Sequence, residues 1–257
     1  YYLRSLGVKQ ADIDDGSADG KIIKSIVKLI QESKRLKQAI ILAMDGAINS
    51  QGEMDSELTE VYIPNDYIYQ AAQAHPELLF GASINPYRKD ALERLDDVYQ
   101  KGARLIKWLP NIMHIDPSDK KIIPFYQRLK KYNLPLLTHT GFEHSFTHSE
   151  DHLGDPALLE LPLSLGVTVI AAHFGTGGSS EGVLNFKRIL PLFEKYPNLY
   201  GDLSGLGLPT KMGSIEQVAN EEVLQDRILY GSDYPLLSFP VFSPLYHVFS
   251  LSPKKIY

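Results

Sequence analysis

The feature that most constrains this chain is a short apolar run that ends in a polar residue and recurs along the sequence. Three of these runs end in His139, His173 and Asp233 (residues 134–139, 167–173 and 227–233). Runs of this length and composition predict short buried strands. The carboxyl ends of parallel strands lie on one rim. We therefore expect the two imidazoles and the carboxylate to face a common site, which has the makings of a metal site.

Seven strands of this kind alternate with helices that carry one apolar face. The predicted strands are 39–44, 78–84, 104–106, 134–139, 167–172, 198–203 and 227–231, and the predicted helices are 20–35, 64–75, 88–101, 118–132, 155–166, 182–195 and 214–224. Regular alternation predicts parallel pairing with right-handed crossovers. A repeat of about 30 residues is typical of a TIM-type (β/α)8 barrel, which needs one strand more.

The predicted fold class is therefore α/β, a TIM-type (β/α)8 barrel whose first strand is missing from the given chain. An open doubly wound sheet is disfavoured because no G-x-G-x-x-G or P-loop spacing occurs. The one Gly-rich turn, at residues 175–178, is predicted to be a flexible loop on the rim. Every predicted strand ends in a polar residue, namely Asp45, Asn85, Lys107, His139, His173, Asp202 and Asp233.

Composition restricts the class of partner. The chain has 257 residues, 44% of them hydrophobic, and no linker, which predicts one domain over residues 1–257. A net charge of −5 gives neither a basic stripe for nucleic acid nor a polybasic anchor for a membrane. There is no apolar run long enough to span a membrane and no leader peptide, so we expect a cytoplasmic protein with a small-molecule substrate. A homo-oligomer is compatible with this interpretation, and the absence of Cys leaves nitrogen and oxygen as metal ligands.

Four segments together resemble the amidohydrolase superfamily, specifically its amidohydrolase-2 branch. They are GARLIKWLP, LPLLTHTG, VTVIAAHFG and ILYGSDYP, in that order. This branch includes lactonases, other hydrolases and decarboxylases similar to the aminocarboxymuconate-semialdehyde enzyme. The resemblance extends from about Leu78 to Ser252. It implies a barrel whose metal is bound by a His-x-His on the first strand and by His139, His173 and Asp233.

The chain departs from this pattern because no His-x-His precedes Ala39. It opens at Tyr1 in what resembles the middle of a loop, and its end, LSPKKIY, falls short of the usual terminal helix. We expect these residues to be part of a longer polypeptide that supplies the first strand and completes the C-terminal helix. The alternative is a degenerate barrel without its full site.

Each candidate residue also has a structural interpretation. His139 could be a buried histidine bonded to the backbone, His173 could support a ligand without binding metal, and Asp233 could cap a turn. Lys107 is expected to bind a substrate carboxylate, or by resemblance to be carboxylated and bridge two metals, or to form a rim ion pair. Asp202 is expected either to orient a ligand imidazole or to stabilise a turn.

The segment after His139 carries Glu143 and three further histidines spaced by four residues, at 144, 148 and 152. On a helix these imidazoles would share a face and invite a second metal. Surrounding Gly, Ser and Thr residues favour a loop instead, which we interpret as a polar lid over the pocket. Glu143 and His144 are the lid residues expected to lie nearest the site.

The expected function is a hydrolase that uses a divalent metal, zinc by preference, to activate water against an amide, lactone or ester. Asp233 would bind metal and transfer the proton, and His173 would stabilise the oxyanion. Two alternatives remain: a metal-dependent decarboxylase on the same site, and a catalytically inactive barrel that serves as a binding protein.

Overall fold

The computed structural model describes residues 8–235. Its α-helices are α1 (Gln10–Asp14), α2 (Ala18–Glu32), α3 (Asn65–Ala74), α4 (Ala91–Gln100), α5 (Pro110–Met113), α6 (Ile123–Tyr132), α7 (Glu160–Ser164), α8 (Asn185–Lys195) and α9 (Ser214–Asn220). Its strands are β1 (Ala39–Leu42), β2 (Leu78–Gly81), β3 (Ile106–Trp108), β4 (Leu136–His139), β5 (Val169–Ala172), β6 (Ser179–Ser180), β7 (Val183–Leu184), β8 (Leu199–Asp202) and β9 (Ile228–Leu229). The start and end of the chain, on which the missing strand and incomplete helix were predicted, lie outside this range.

Seven of these strands form the parallel framework that the sequence predicts. β1 pairs with β2, and β3, β4, β5, β8 and β9 pair in that order. A parallel bridge between Ala82 and Ile106 joins the two sheets. Within the described range, β1 and β9 are the outer strands and do not pair with each other. The predicted parallel pairing is therefore confirmed.

The register of the central strands places the polar candidates on one face. Lys107 of β3 is level with Leu137 of β4, two residues before His139. The register continues through β5 to β8, where Tyr200 is level with Leu137, and Asp202 lies two residues after Tyr200. Because side chains alternate along a strand, Lys107, His139 and Asp202 share the face opposite the buried Leu136.

Aromatic side chains fill the space between the sheet and its helices. Trp108 is completely buried, and its indole N–H donates to the carbonyl oxygen of Ile84 at 2.7 Å. Its ring lies 5.6 Å from the ring of Phe125 and 5.8 Å from that of Tyr126, both on α6. This apolar layer supports the ends of β3 and β4 from below.

Several element boundaries differ from prediction. The strand predicted at 104–106 is Ile106–Trp108, because Lys107 points inward and continues the strand. The helix predicted at 155–166 divides into a 3-10 turn, Pro156–Leu159, and α7, since Pro162 has no N–H to donate.

Four further helices also begin or end elsewhere. α6 begins at Ile123 after a 3-10 turn, α9 ends at Asn220, and α2 begins after Ser17 rather than at the predicted Asp19 cap. The helix predicted at 182–195 begins at Asn185, because the antiparallel hairpin of β6 and β7 precedes it. The Gly-rich turn at 175–178 therefore leads directly into a hairpin.

Asp45 and Asn85 were expected to offer polar groups to the rim, but both serve the framework. The Asp45 carboxylate accepts two hydrogen bonds from the Arg88 guanidinium, each 2.6 Å long, and both side chains are buried. Asp45 also accepts from the backbone N–H of Asn85 at 2.8 Å. The Asn85 amide donates to the carbonyl oxygens of Gly46 and Met113. These bonds tie the ends of β1 and β2 together.

No helix in the described range has both the length and the apolar character that a membrane crossing requires.

Candidate active site

His139 lies at the end of β4 and is 5% exposed. Its Nε2 atom is buried and has no hydrogen-bond partner within residues 8–235. Burial, and next the positive charge of Lys107, lowers the pKa of His139 to about 3. The imidazole is therefore neutral at physiological pH and carries a lone pair. A buried nitrogen without a partner is costly unless a ligand binds there.

His173 follows β5 and is held by the turn after β8. Its Nδ1 contacts the carbonyl oxygen of Ser204, which can only accept, so Nδ1 carries the proton. The Ser204 hydroxyl lies 3.0 Å from the same nitrogen and itself donates to the Asp202 carboxylate. Asp202 also accepts from the backbone N–H of His173 at 3.0 Å. Asp202 and Ser204 therefore fix the ring so that Nε2 bears the lone pair.

Burial also lowers the pKa of His173 well below its ordinary value. A neutral ring with its proton on Nδ1 offers Nε2 as a metal ligand or proton acceptor. Oxyanion stabilisation through Nε2 would require the protonated ring, which burial disfavours. The geometry thus favours the ligand role of His173 over the oxyanion role.

The two imidazoles lie together. Their ring centroids are 5.0 Å apart, with an angle of 67° between the ring planes. The Thr140 hydroxyl secures this arrangement, since it donates to the carbonyl oxygen of Ala172 at 2.6 Å and accepts from the Gly175 N–H at 2.8 Å. The turns after β4 and β5 are thereby crosslinked.

Asp233, in the turn after β9, approaches His173. A Cβ atom on Gly205 would lie 3.0 Å from Nδ1 of His173 and 3.1 Å from Oδ2 of Asp233, so both side chains flank this glycine. Burial raises the pKa of Asp233. His173 and Asp233 have φ angles of 65° and 54°, a left-handed conformation that is costly for residues with a side chain. Strained backbone of this kind clusters at functional sites.

The donor set fits a divalent ion in its chemistry: two neutral imidazoles and a carboxylate are ligands that such ions accept. Across the described part of the chain, no group of three His, Asp or Glu side chains is close enough to hold an ion unaided. Within residues 8–235, His139, His173 and Asp233 therefore do not form a complete ion site by themselves.

Lys107 projects into the same space. It is 7% exposed, and within residues 8–235 its ammonium group makes no ion pair or hydrogen bond, so the predicted rim ion pair is not formed there. Burial lowers the pKa of Lys107, and the carboxylates of Asp202, Asp233 and Glu143 oppose this shift. Lys107 therefore lies in the electrostatic field of three other site candidates.

Residues 140–150 form a loop, as the sequence predicts. His144 is exposed and its ring lies edge-on against Phe142, so the structure does not bring it to the imidazoles. His148 and His152 are also exposed and share no helical face with His144. Glu143 is partly buried and is the lid residue that lies in the electrostatic field of both Lys107 and Asp233.

The lid is held from a distant loop. The Glu60 carboxylate accepts from the backbone N–H groups of Thr147 at 3.0 Å and His148 at 2.7 Å. The His114 Nε2 lies 2.9 Å from the carbonyl oxygen of His148. Closer to the site, the Asn111 amide donates to the carbonyl oxygen of Gly141 at 3.1 Å. We call the contact of Glu60 with the two amides the lid latch.

Sequence reasoning missed two residues, Ser204 and Lys211. Ser204 belongs to the turn after β8, and Lys211 ends a 3-10 turn that follows the same strand. Lys211 exerts a positive charge on both His139 and His173. Their position in the sequence could have revealed them, because both residues follow the carboxyl end of a strand, where this fold places its active site.

The family model for amidohydrolases of the amidohydrolase-2 type matches residues 42–245. No curated protein matches the chain significantly. Among solved structures, an uncharacterised TIM-barrel protein from Bordetella bronchiseptica is 19% identical, with a TM-score of 0.65 over 99% of this chain and 84% of that one. A 5-carboxyvanillate decarboxylase from Novosphingobium aromaticivorans, solved with manganese and a nitrobenzoic acid derivative, is 14% identical, with a TM-score of 0.52 over 99% and 88% of the two chains.

The parallel sheet, its alternating helices and these structural neighbours define the class as a TIM-type α/β barrel. The chain belongs to the amidohydrolase-2 family. His139, His173 and Asp233 all lie inside the matched residues.

Proposed function

We propose that this chain forms a metal-dependent hydrolase that cleaves an amide, lactone or ester bond of a small molecule. The observation that carries the proposal is the buried Nε2 of His139, which has no partner in the described range and lies beside a second imidazole. Family membership supports the same reaction class.

His139 and His173 would hold the ion through Nε2, and Asp233 through its carboxylate. We expect zinc because imidazole-rich sites suit it, and manganese, which the decarboxylase neighbour contains, is the main alternative. A divalent ion supplies Lewis acidity, which activates water and polarises a carbonyl group. Asp233 takes the proton of the attacking water and delivers it to the leaving group, since burial makes its carboxylate more basic than usual.

A decarboxylase is the second candidate. It is favoured by the ammonium group of Lys107, which forms no ion pair within residues 8–235. A decarboxylase must hold a substrate carboxylate and protonate the carbanion that remains after CO₂ departs. Lys107 is placed to hold an anion, and Asp233, with its raised pKa, is placed to carry the proton. This chemistry is that of the neighbour described above.

Elemental analysis of protein purified without added metal, combined with activity assays, tests the proposal. We expect about one divalent ion per chain, loss of that ion in His139→Ala, and hydrolysis of at least one member of an ester, lactone and amide panel. Release of CO₂ from aromatic carboxylic acids, with no hydrolysis, would establish the decarboxylase instead. Metal-free protein that retains full activity would refute both, and a protein with neither metal nor activity would be a binding protein.

A further inference from the structure

Lys211 reaches the site from a different element than the other candidates. It ends the 3-10 turn Pro209–Lys211, and its side chain is partly buried. Its Cε atom lies 4.0 Å from the position that a Cβ atom on Gly177 would occupy. Since Gly177 has no side chain, the lysine stem can lie across the Gly-rich turn toward the two imidazoles.

The ammonium group of Lys211 has no partner in the part of the chain that the structure describes. It makes no ion pair or hydrogen bond with any residue of the described range, whereas the lysines at 21, 89, 101 and 195 each pair with a carboxylate. The charges of Asp233, Glu143 and Asp202 act on it without forming a contact. An unpaired cation that loses water by burial is costly, and an anionic ligand would recover that cost.

Lys107 is a second cation of the site without an ion pair, so within residues 8–235 two ammonium groups act together with three carboxylates, those of Asp202, Asp233 and Glu143. A divalent ion at the imidazoles would leave the cluster with a net positive charge of one. A monoanionic substrate would balance this charge. An ammonium group binds an anion as a point charge, so it can hold a carboxylate as well as a phosphate, and the binding experiment below compares the two.

We propose that Lys211 is a specificity-determining residue that binds a carboxylate group of the substrate, so that the site selects a monoanion over its neutral analogue. This inference rests on the proposed function, from which it takes the reaction that the bound substrate undergoes. It differs from the expectation for Lys107 because Lys211 approaches from the turn after β8, across Gly177.

The test compares Lys211→Met, Lys211→Arg and the control Lys24→Met, which alters an exposed lysine of α2. The substrates are a matched pair of chromogenic esters: para-nitrophenyl acetate, which is neutral, and mono-para-nitrophenyl succinate, which carries one carboxylate. For Lys211→Met we expect kcat/KM to fall about 10- to 100-fold on the succinate and less than about 2-fold on the acetate. Lys211→Arg should retain most activity, and Lys24→Met should match the parent on both esters.

A binding measurement separates this proposal from the proposed function. Calorimetric titration of metal-loaded protein with benzoate and with its neutral isostere benzamide should show tighter binding of benzoate. Lys211→Met should reduce that difference about 10-fold or more at unchanged metal content, and the remainder is due to Lys107 and the ion. Equal affinity for the two probes, an undiminished difference in Lys211→Met, or tighter binding of inorganic phosphate than of benzoate would overturn the assignment. If neither ester is hydrolysed but benzoate still binds more tightly than benzamide, the ester hydrolase is refuted and the assignment of Lys211 stands.

Discussion

The tautomer and orientation of His173 are fixed by two neighbouring residues, Ser204 and Asp202. The carbonyl and hydroxyl oxygens of Ser204 hold its Nδ1 proton, and the Asp202 carboxylate in turn holds the Ser204 hydroxyl. Because the proton is fixed on Nδ1, the lone pair is always on Nε2, and the imidazole can act as a ligand without changing tautomer. The reactivity of the imidazole is thus set by two residues of the following strand and turn.

Asp233→Asn separates a chemical role of this carboxylate from a structural one. The amide keeps the shape and one oxygen donor but cannot accept a proton at neutral pH. We expect metal to remain bound with lower affinity, the melting temperature to change little, and turnover to fall by about 10²- to 10⁴-fold. Metal content, melting temperature and turnover are measured on the same preparation, and near-normal turnover with bound metal would contradict the mechanism.

Arg88→Met should destabilise the protein strongly because it leaves the Asp45 carboxylate buried without a cation. Removing one partner of a buried ion pair costs about 3–5 kcal/mol in free energy of unfolding. Urea unfolding measures this loss. The double variant Asp45→Asn with Arg88→Met should recover part of the lost free energy of unfolding. Equal stability of this double variant and Arg88→Met would argue against a buried ion pair.

The sequence made His139, His173 and Asp233 the site candidates because each ends an apolar run, and the ends of parallel strands share a rim. It could not identify the partner of Asp45, since Arg88 lies 43 residues away and nothing local marks the pair. Lys211 was missed for a related reason. Its turn has no periodic pattern, and only the folded chain brings that turn across Gly177.

At the level of elements, the strand that positions Asp202 depends on one glycine. A Cβ atom on Gly201 would overlap the ring of Phe174, which is completely buried and lies 5.8 Å from the ring of Phe193 on α8. The absence of a side chain at this position lets β8, the turn after β5 and α8 approach each other closely.

Gly201→Ala should therefore destabilise the protein by about 1–3 kcal/mol, the usual cost of overpacking a core. Gly20→Ala is the matched control, because a Cβ atom there would meet nothing within 4 Å. Gly20 lies inside α2, so its substitution should stabilise the helix by about 0.5–1 kcal/mol. Chemical denaturation of both variants gives the two changes, and effects of the same sign would refute the packing argument.

Continuous apolar runs allowed β4 and β5 to be predicted closely from sequence, because a buried parallel strand needs such runs. The hairpin of β6 and β7 was missed because each strand has two residues and its side chains are largely exposed. β3 was placed two residues early because Lys107 resembles a strand terminus, whereas tertiary structure buries it.

Whole-molecule stability should depend on pH through the two imidazoles. In the folded state both have pKa values below the ordinary 6.5, so the unfolded chain binds more protons in acid. Stability is therefore complete above pH 6.5 and is lost as the pH falls toward about 3, where His139 titrates. The loss reaches about 1.4 kcal/mol per pH unit for each group.

Urea unfolding of chelator-treated protein between pH 7.5 and 5 measures this dependence. His139→Gln should reduce the slope by about 1.4 kcal/mol per pH unit. His148→Gln, which alters an exposed imidazole, should leave the slope unchanged. A slope that persists in full after the His139 substitution would show that this residue is solvated.

Opening of the lid latch is an event whose rate can be measured. Two amide protons, on Thr147 and His148, can exchange with solvent only when the Glu60 carboxylate lets go of them. At high pH, where chemical exchange is faster than reclosing, their exchange rates equal the opening rate of this contact. If ligand entry requires the same opening, that rate is the maximum rate at which the pocket can fill, and deuterium uptake measures it without a substrate.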